Sequence, residues 1–376
     1  MKTEKLAFIC IFILVCIIPG CKNSPSGNSE VIDDIDKDPD LFETVNIPPV
    51  DQSDTDWDKI TYLIKTGEIS EGFSNEEENF FVKITDLCID QENNLYVADS
   101  GLRKIFKFDA LGNFVYSFGQ TGQGPSEFLG RLRINVGNDN NLYITDDKNY
   151  RLFSFTKDGE FISQFNLPLY KYDYAVVSSE GEIFFLSESG IKIIDHFDSR
   201  LKYLSSFLEM KYCLDFPYKM PSRELLYRLS MRPSTMEIHK LITKDDNIAI
   251  IFNNSQIVTY FNKNLELVHQ FRINHPRFIK DYKKRINDAK KKSGWINCFG
   301  SAFLDEKNNF NICYFNGELR IPEVYRYSLN GKFIDTLRVL NFNSTSNQII
   351  RARDLNGNFY GTEMTTSKIV IYREIE

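Results

Sequence analysis

The chain has few of the residues that usually announce chemistry. Its 376 residues include only four histidines, His196, His239, His269 and His275, so a multi-histidine metal site is not expected. Among seven cysteines there is no Cys-x-x-Cys pair and no zinc-finger spacing. The G-x-S-x-G elbow, the H-E-x-x-H helix and the phosphate-cradling glycine loop are also missing. Gly119-Gln120-Thr121-Gly122-Gln123-Gly124 is glycine-rich, but it follows a strand pattern and reads as a rim turn. Positive charge is not in excess, with 45 Lys and Arg against 52 Asp and Glu. A general nucleic-acid binder needs a basic face to displace counterions, so that class is excluded. Alanine is scarce, whereas 31 Phe and 19 Tyr favour a large sheet core.

What the chain does have is a phrase that recurs. It reads Asn93-Asn94-Leu95-Tyr96 and Asn140-Asn141-Leu142-Tyr143, with weaker copies around Gly181, Asp246, Asn308 and Gly357. A repeat at this period marks an array of equivalent units. Aligned on these six anchors, each unit reads as four strands separated by Asp/Asn/Gly turns. Four-stranded units repeated radially predict an all-β, six-bladed β-propeller. The last copy supplies three strands, and Lys59–Gly67 matches the pattern of the missing one. An N-terminal strand is therefore expected to close the last blade, which removes two exposed sheet edges.

Two stretches exceed the repeat, Glu209–Glu237 and His275–Asn297. Within the second, a helix over Pro276–Ser293 is expected on one rim, with Phe278, Ile279, Tyr282, Ile286 and Ala289 as its apolar stripe. Its other face carries Lys280, Lys283, Lys284, Lys290, Lys291 and Lys292. That face reads either as a solvated cap or as a docking surface for an acidic partner or anionic headgroups.

The N-terminus follows a different logic. Lys2 and Lys5 precede an apolar run from Leu6 to Ile18 that is short for a membrane span. Ile18-Pro19-Gly20-Cys21 resembles a bacterial lipobox, in which the cysteine is acylated. Residues 1–21 are thus expected to be a lipoprotein signal peptide, 22–55 a flexible tether and 56–376 the propeller. Cys21 would tie the chain to a lipid bilayer without spanning it. Lys22 supplies no inner-membrane-retention aspartate, which favours the outer membrane. Of the remaining cysteines, Cys88, Cys213, Cys298 and Cys313 are expected to be buried free thiols. Cys313 falls opposite about Ala302, too far from Cys298 for a disulfide.

Val97-Ala98-Asp99-Ser100-Gly101, with Arg103-Lys104-Ile105 and Asp109-Ala110-Leu111-Gly112, resembles an NHL repeat. From about residue 56 the chain is similar to the NHL-type propeller lipoproteins of Bacteroides-like bacteria, though copies three to six lose the Ala-Asp-Ser phrase. Most members of that group lack an assigned activity, so the resemblance implies fold and compartment more than function.

Propellers place ligands where their inner strands converge on the channel. Counting nine residues back from each anchor gives Ile84, Arg131, Tyr172, Glu237, Phe299 and Gln348; seven back gives Asp86, Arg133, Tyr174, His239, Ser301 and Ile350. From these, Arg131, Arg133, Tyr172, Tyr174, Glu237 and His239 are the candidate ligand contacts, joined by Trp295 after the basic helix. Aromatic faces and arginine donors suit a glycan, peptide or protein ligand. The same side chains could instead wedge between blades. No cofactor is expected, and the propeller is expected to be monomeric. The alternative is a metal-dependent enzyme like the six-bladed lactonases and lyases, with Glu237, His239, Asp173 and Asn297 near one level.

Overall fold

The computed structural model describes residues 47, 49–71, 80–167, 175–186, 192–209, 238–252, 257–291, 299–316, 321–342, 348–363 and 367–375. Strand β1 (Ile60–Ile69) comes first and is used last, as the closure described below. Blade one comprises β2 (Ile84–Ile89), β3 (Leu95–Asp99), β4 (Lys104–Phe108) and β5 (Phe114–Phe118), paired antiparallel in that order. Two short strands, β6 (Gln120–Thr121) and β7 (Glu127–Phe128), fold the glycine-rich turn back on itself. Blade two holds β8 (Leu132–Val136), β9 (Leu142–Asp146), β10 (Arg151–Phe155) and β11 (Phe161–Asn166). Blade three holds β12 (Val176–Val177), β13 (Ile183–Leu186), β14 (Lys192–Phe197) and β15 (Tyr203–Glu209). Blade four holds β16 (Ile238–Ile242), β17 (Ile248–Phe252), β18 (Ile257–Phe261) and β19 (Leu267–Arg272).

Helix α1 (Pro276–Lys291) follows. Blade five is β20 (Phe299–Leu304), β21 (Phe310–Asn316), β22 (Ile321–Tyr327) and β23 (Phe333–Val339). Blade six is β24 (Gln348–Arg353), β25 (Asn358–Glu363) and β26 (Lys368–Glu374), completed by β1. This is the six-bladed propeller expected from the repeat.

The recurrent phrase is a turn device. Asn93, Asn140, Asp246 and Asn308 all have φ between 59° and 65°, and Gly181 and Gly357 stand at 77° and 83°. The turn needs a left-handed residue, which Asn, Asp and Gly tolerate better than other types. Upstream, a short polar side chain caps the same turn. The Asp90 carboxylate accepts from the Glu92 and Asn94 amides (2.9 and 2.8 Å) and from the Tyr96 hydroxyl at 3.0 Å. Asp354 repeats this with the Asn358 amide at 2.8 Å and Tyr360 at 3.0 Å. The phrase thus satisfies backbone donors that a hairpin would leave exposed.

Packing follows strand position. The second strands β3 and β9, and the third strand β18, are buried at every position, because a neighbouring blade covers each face. Outer strands such as β11 are half open. Phenylalanines fill the gap between blades one and two: Phe118 meets Phe155 at 4.6 Å and Phe128 meets Phe153 edge-on at 5.3 Å. Phe128, Phe153 and Phe155 are fully buried, and each such ring contributes about 1.5–3 kcal/mol.

The closing strand does more than its sequence indicated. β1 pairs antiparallel with β26 from Leu63 to Ile69, as expected. It also pairs in parallel with β23, Ile60 with Thr336 through Leu63 with Val339. Blades five and six therefore merge into one eight-stranded sheet. Arg326 ties the two halves together, donating through Nε to Asp335 at 2.6 Å and through Nη1 to Glu374 at 2.7 Å. The chain contacts blade five before the boundary expected at residue 56, since Gln52 Nε2 donates to the Gly331 carbonyl at 2.9 Å. Trp57 then stacks on Phe333 at 5.0 Å.

Helix α1 buries Phe278 and Tyr282, two residues of the expected stripe, whereas Ile279 is only half buried. Phe278 packs on Phe299 (5.0 Å) and Tyr314 (5.6 Å), so the helix seals the inner end of blade five. Lys280, Lys283 and Lys284 point outward. In blade five Cys313 is buried and pairs with Ser301, one residue from the expected register; the sheet slips only beyond that pair, between Ser301 and Phe299.

Candidate functional site: the axial channel

The inner strands β2, β8, β12, β16, β20 and β24 surround the axis, and their polar side chains lace one blade to the next. Thr85 Oγ1 donates to the Leu132 carbonyl at 2.9 Å, and Asp86 Oδ2 accepts from the Ile134 amide at 3.0 Å. Asn135 Nδ2 donates to the Ala175 carbonyl at 3.0 Å, carrying the pattern from blade two to blade three. Ser301 Oγ does the same to the Ile350 carbonyl between blades five and six. Each side chain serves backbone groups that the absence of a fifth strand would leave unpaired.

Two aspartates of the recurrent unit have a related task. Asp99, fully buried, accepts from the amides of Val82 (2.7 Å), Lys83 (3.0 Å), Gly101 (2.7 Å) and Leu102 (3.0 Å). Asp146 accepts from Leu129, Gly130, Lys148 and Asn149 at 2.7 to 3.2 Å. These carboxylates organise the loops at the inner-strand entrances, so the aspartate that ends each of these two second strands is a structural staple.

At the opposite end of the inner strands the anchor turns of blades two, three and four meet. Asn138 Nδ2 donates to the Thr243 carbonyl (2.8 Å) and to Asp246 Oδ1 (2.7 Å), joining blades two and four. The Ser179 amide of blade three donates to the same oxygen at 2.9 Å. Burial pushes the Asp246 carboxyl up, but hydrogen bonds from Ser179 and Asn138 outweigh it and hold the group below the usual carboxylate range.

Between these ends lies a cavity of about 260 Å³, walled by inner strands of blades one, two, four, five and six. Its polar lining includes Asp86, Asn135, Ser301, Arg351 and Arg353, and Ile134, Leu241 and Phe303 supply apolar wall. Cys88 also borders it; burial, then Asp86 and Asp90, push its thiol well above the ordinary value. Burial pushes the Cys313 thiol up to about 11. Neither cysteine is poised as a nucleophile. Among the described residues, no three His, Cys, Asp or Glu side chains come together as a metal cluster.

The counted positions divide. Asp86 and Ser301 line the cavity. Arg133 is half buried in β8 and Arg131 exposed just before it, and neither is part of the cavity wall. In blade two the wall takes Asn135 instead. In blade six Ile350 is buried away from the axis, because a register shift between Ile350 and Ala352 turns Arg351 inward. His239 stands in β16 opposite Ile251. Tyr172, Asp173, Tyr174, Glu237, Trp295, Asn297 and Cys21 lie outside the described residues. Sequence counting missed Arg351 and Arg353, since nothing in the residue pattern marks that shift.

Comparison with known proteins agrees on architecture. The model of a family described as a 6-bladed beta-propeller, DUF5128, matches residues 74–326. Among solved structures, a Bacteroides vulgatus member of the duf4221 family is similar at 11% identity and TM-score 0.54, covering 85% of this chain and 99% of that one. A Bacteroides fragilis protein named for its expected export is similar at 13% identity and TM-score 0.52, covering 84% and 100%. Virginiamycin B lyase from Staphylococcus aureus superposes at 10% identity and TM-score 0.49, covering 83% and 99%, too distant to bear on function. No curated protein matches the chain. At these identities the solved structures speak to fold alone.

Proposed function

Since the chain belongs to this DUF5128 family of six-bladed β-propellers, we propose that it is a lipid-anchored binding module of a bacterial envelope. Its ligand, a glycan, a peptide or a segment of a partner protein, enters the channel mouth. The observation that carries this reading is the axial cavity of about 260 Å³, where charged and amide side chains stand beside Phe303 and aliphatic wall. A concave site with a few convergent polar groups is the usual form of a small-ligand pocket. Arg131, Arg133, Tyr172, Tyr174, Glu237, His239 and Trp295 are the residues proposed to receive the ligand as it enters. Anchoring rests on the Ile18-Pro19-Gly20-Cys21 sequence, with the outer membrane as the proposed site.

The test is a glycan and peptide binding screen on the mature chain with Cys21→Ser, repeated with Arg131→Ala. A ligand whose affinity falls with Arg131→Ala supports the mouth as the site; one bound equally by both proteins removes it. Anchoring is checked in parallel by incorporation of an alkyne fatty acid, which the Cys21→Ser chain must fail to show.

A further inference from the structure

We infer that the axial cavity takes an anionic group, received by Arg351, so that the ligand is a small organic acid and not a neutral molecule. This deepens the binding-module reading and depends on the axis being its site. Among the described residues, three charged side chains line the cavity: Asp86, Arg351 and Arg353. Their partners differ. Arg353 is committed elsewhere, with Nη1 on Glu306 and Nη2 3.7 Å from Glu374. Asp86 is held by the Ile134 amide.

Arg351 differs from both. Its side chain is 10% exposed, and its Nε donates to Thr362 Oγ1 at 2.9 Å, which fixes the plane of the guanidinium. Asp86 Oδ1 forms an ion pair with Nη1 at 3.8 Å, too long for a hydrogen bond. A guanidinium has five N–H donors, and this one spends a single bond on the protein. Neither Nη is among the buried polar atoms left without a partner, so these donors open on the cavity, where an acceptor can reach them. The forked Nη edge matches the two oxygens of a carboxylate or the terminal oxygens of a phosphate.

Size and lining narrow the class further. About 260 Å³ lies below the roughly 300–1,000 Å³ of sites for drug-sized ligands. Phe303, Leu241 and Ile134 offer an apolar face to a ring or short carbon chain. A monosaccharide-sized acid meets both conditions.

The experiment is calorimetric titration of the mature chain with glucuronate, glucose 6-phosphate and glucose, using wild type and Arg351→Gln. The expected result is binding of at least one acid, no binding of glucose at equal concentration, and about tenfold or greater weakening in Arg351→Gln, that is ~1.4 kcal/mol or more. Preference between the two acids tells a carboxylate site from a phosphate site. The inference is overturned if glucose binds as well as the acids, if neither acid binds at millimolar concentration, or if Arg351→Gln binds them unchanged. The acid-against-glucose comparison uses the unmodified protein, so it stands even if the variant fails to fold. A neutral glycan whose binding depends on Arg131 but not on Arg351 would leave the binding-module reading intact and remove this one.

Discussion

Leu63→Ala tests the closure at the point where β1 passes from one partner to the other. Leu63 is fully buried, pairs with both Val339 and Glu374, and belongs to a cluster with Val324, Leu337, Val370 and Tyr372. Backbone bonds hold the strand on both flanks, Leu340 N to the Leu63 carbonyl at 2.8 Å and Ile375 N to the Tyr62 carbonyl at 2.9 Å. The site therefore cannot collapse around a smaller side chain. Within the ~2–5 kcal/mol range for Leu→Ala, about 3–4 kcal/mol is expected. Ile64→Ala is the control: Ile64 is 38% exposed, and its loss should cost under about 1 kcal/mol. Urea unfolding followed by tryptophan fluorescence and far-UV circular dichroism reads both. At about 2 °C per kcal/mol, the Leu63 variant should melt ~6 °C lower. Deleting residues 1–69 should do more, because it bares the edges of β23 and β26 and invites pairing between molecules, visible by gel filtration. A Leu63→Ala chain within about 1 kcal/mol of wild type, or a monomeric and stable deletion, would refute the account of β1 as a two-sided closure.

Two further outcomes follow from the turns and from a buried imidazole. Gly331 and Gly357 share nearly the same φ, 82° and 83°, but a Cβ at Gly331 would lie 2.4 Å from Phe271 Cγ, whereas at Gly357 the nearest atom is 3.5 Å away. Gly357→Ala should cost only the left-handed penalty of about 1–2 kcal/mol, and Gly331→Ala clearly more, by the same urea assay. His275 is 1% exposed and stacks on Tyr325 at 4.3 Å. Burial, the largest influence, lowers its pKa to about 4 from the usual 6.5. The unfolded chain binds the proton first, so this contribution is complete above pH 6.5 and lost as pH falls towards 4, by up to about 3 kcal/mol. Comparison of unfolding midpoints at pH 7 and 4.5 should show a smaller drop in His275→Phe than in wild type; equal drops would assign the acid sensitivity elsewhere.

The turns were legible because their cause is local. A left-handed residue preceded by a capping Asp, Ser or Thr needs no distant partner, so Asn93, Asn140 and Gly357 could be aligned without knowing what surrounds them. The stripe of α1 was legible for the same reason, through Phe278 and Tyr282. Channel lining was less so. Arg133 obeys the count that places Asp86 at the cavity, yet Asn135 takes its place, and a shift in β24 brings in Arg351 where counting gave Ile350. Such shifts depend on how a strand meets its neighbour, and one irregularity reverses which side chains face inward.

By itself, the amino-acid order determined the number of blades, the place of their turns and the N-terminal origin of the last strand, because hydrophobic period and turn chemistry act within a few residues. Only the tertiary structure decided that β1 also joins blade five, that Asp99 and Asp146 spend their charge on loop amides, and that Arg351 faces the axis with its donors largely unspent. Those outcomes are set by edges, burial and register between segments far apart in the chain, where a short local pattern carries no information.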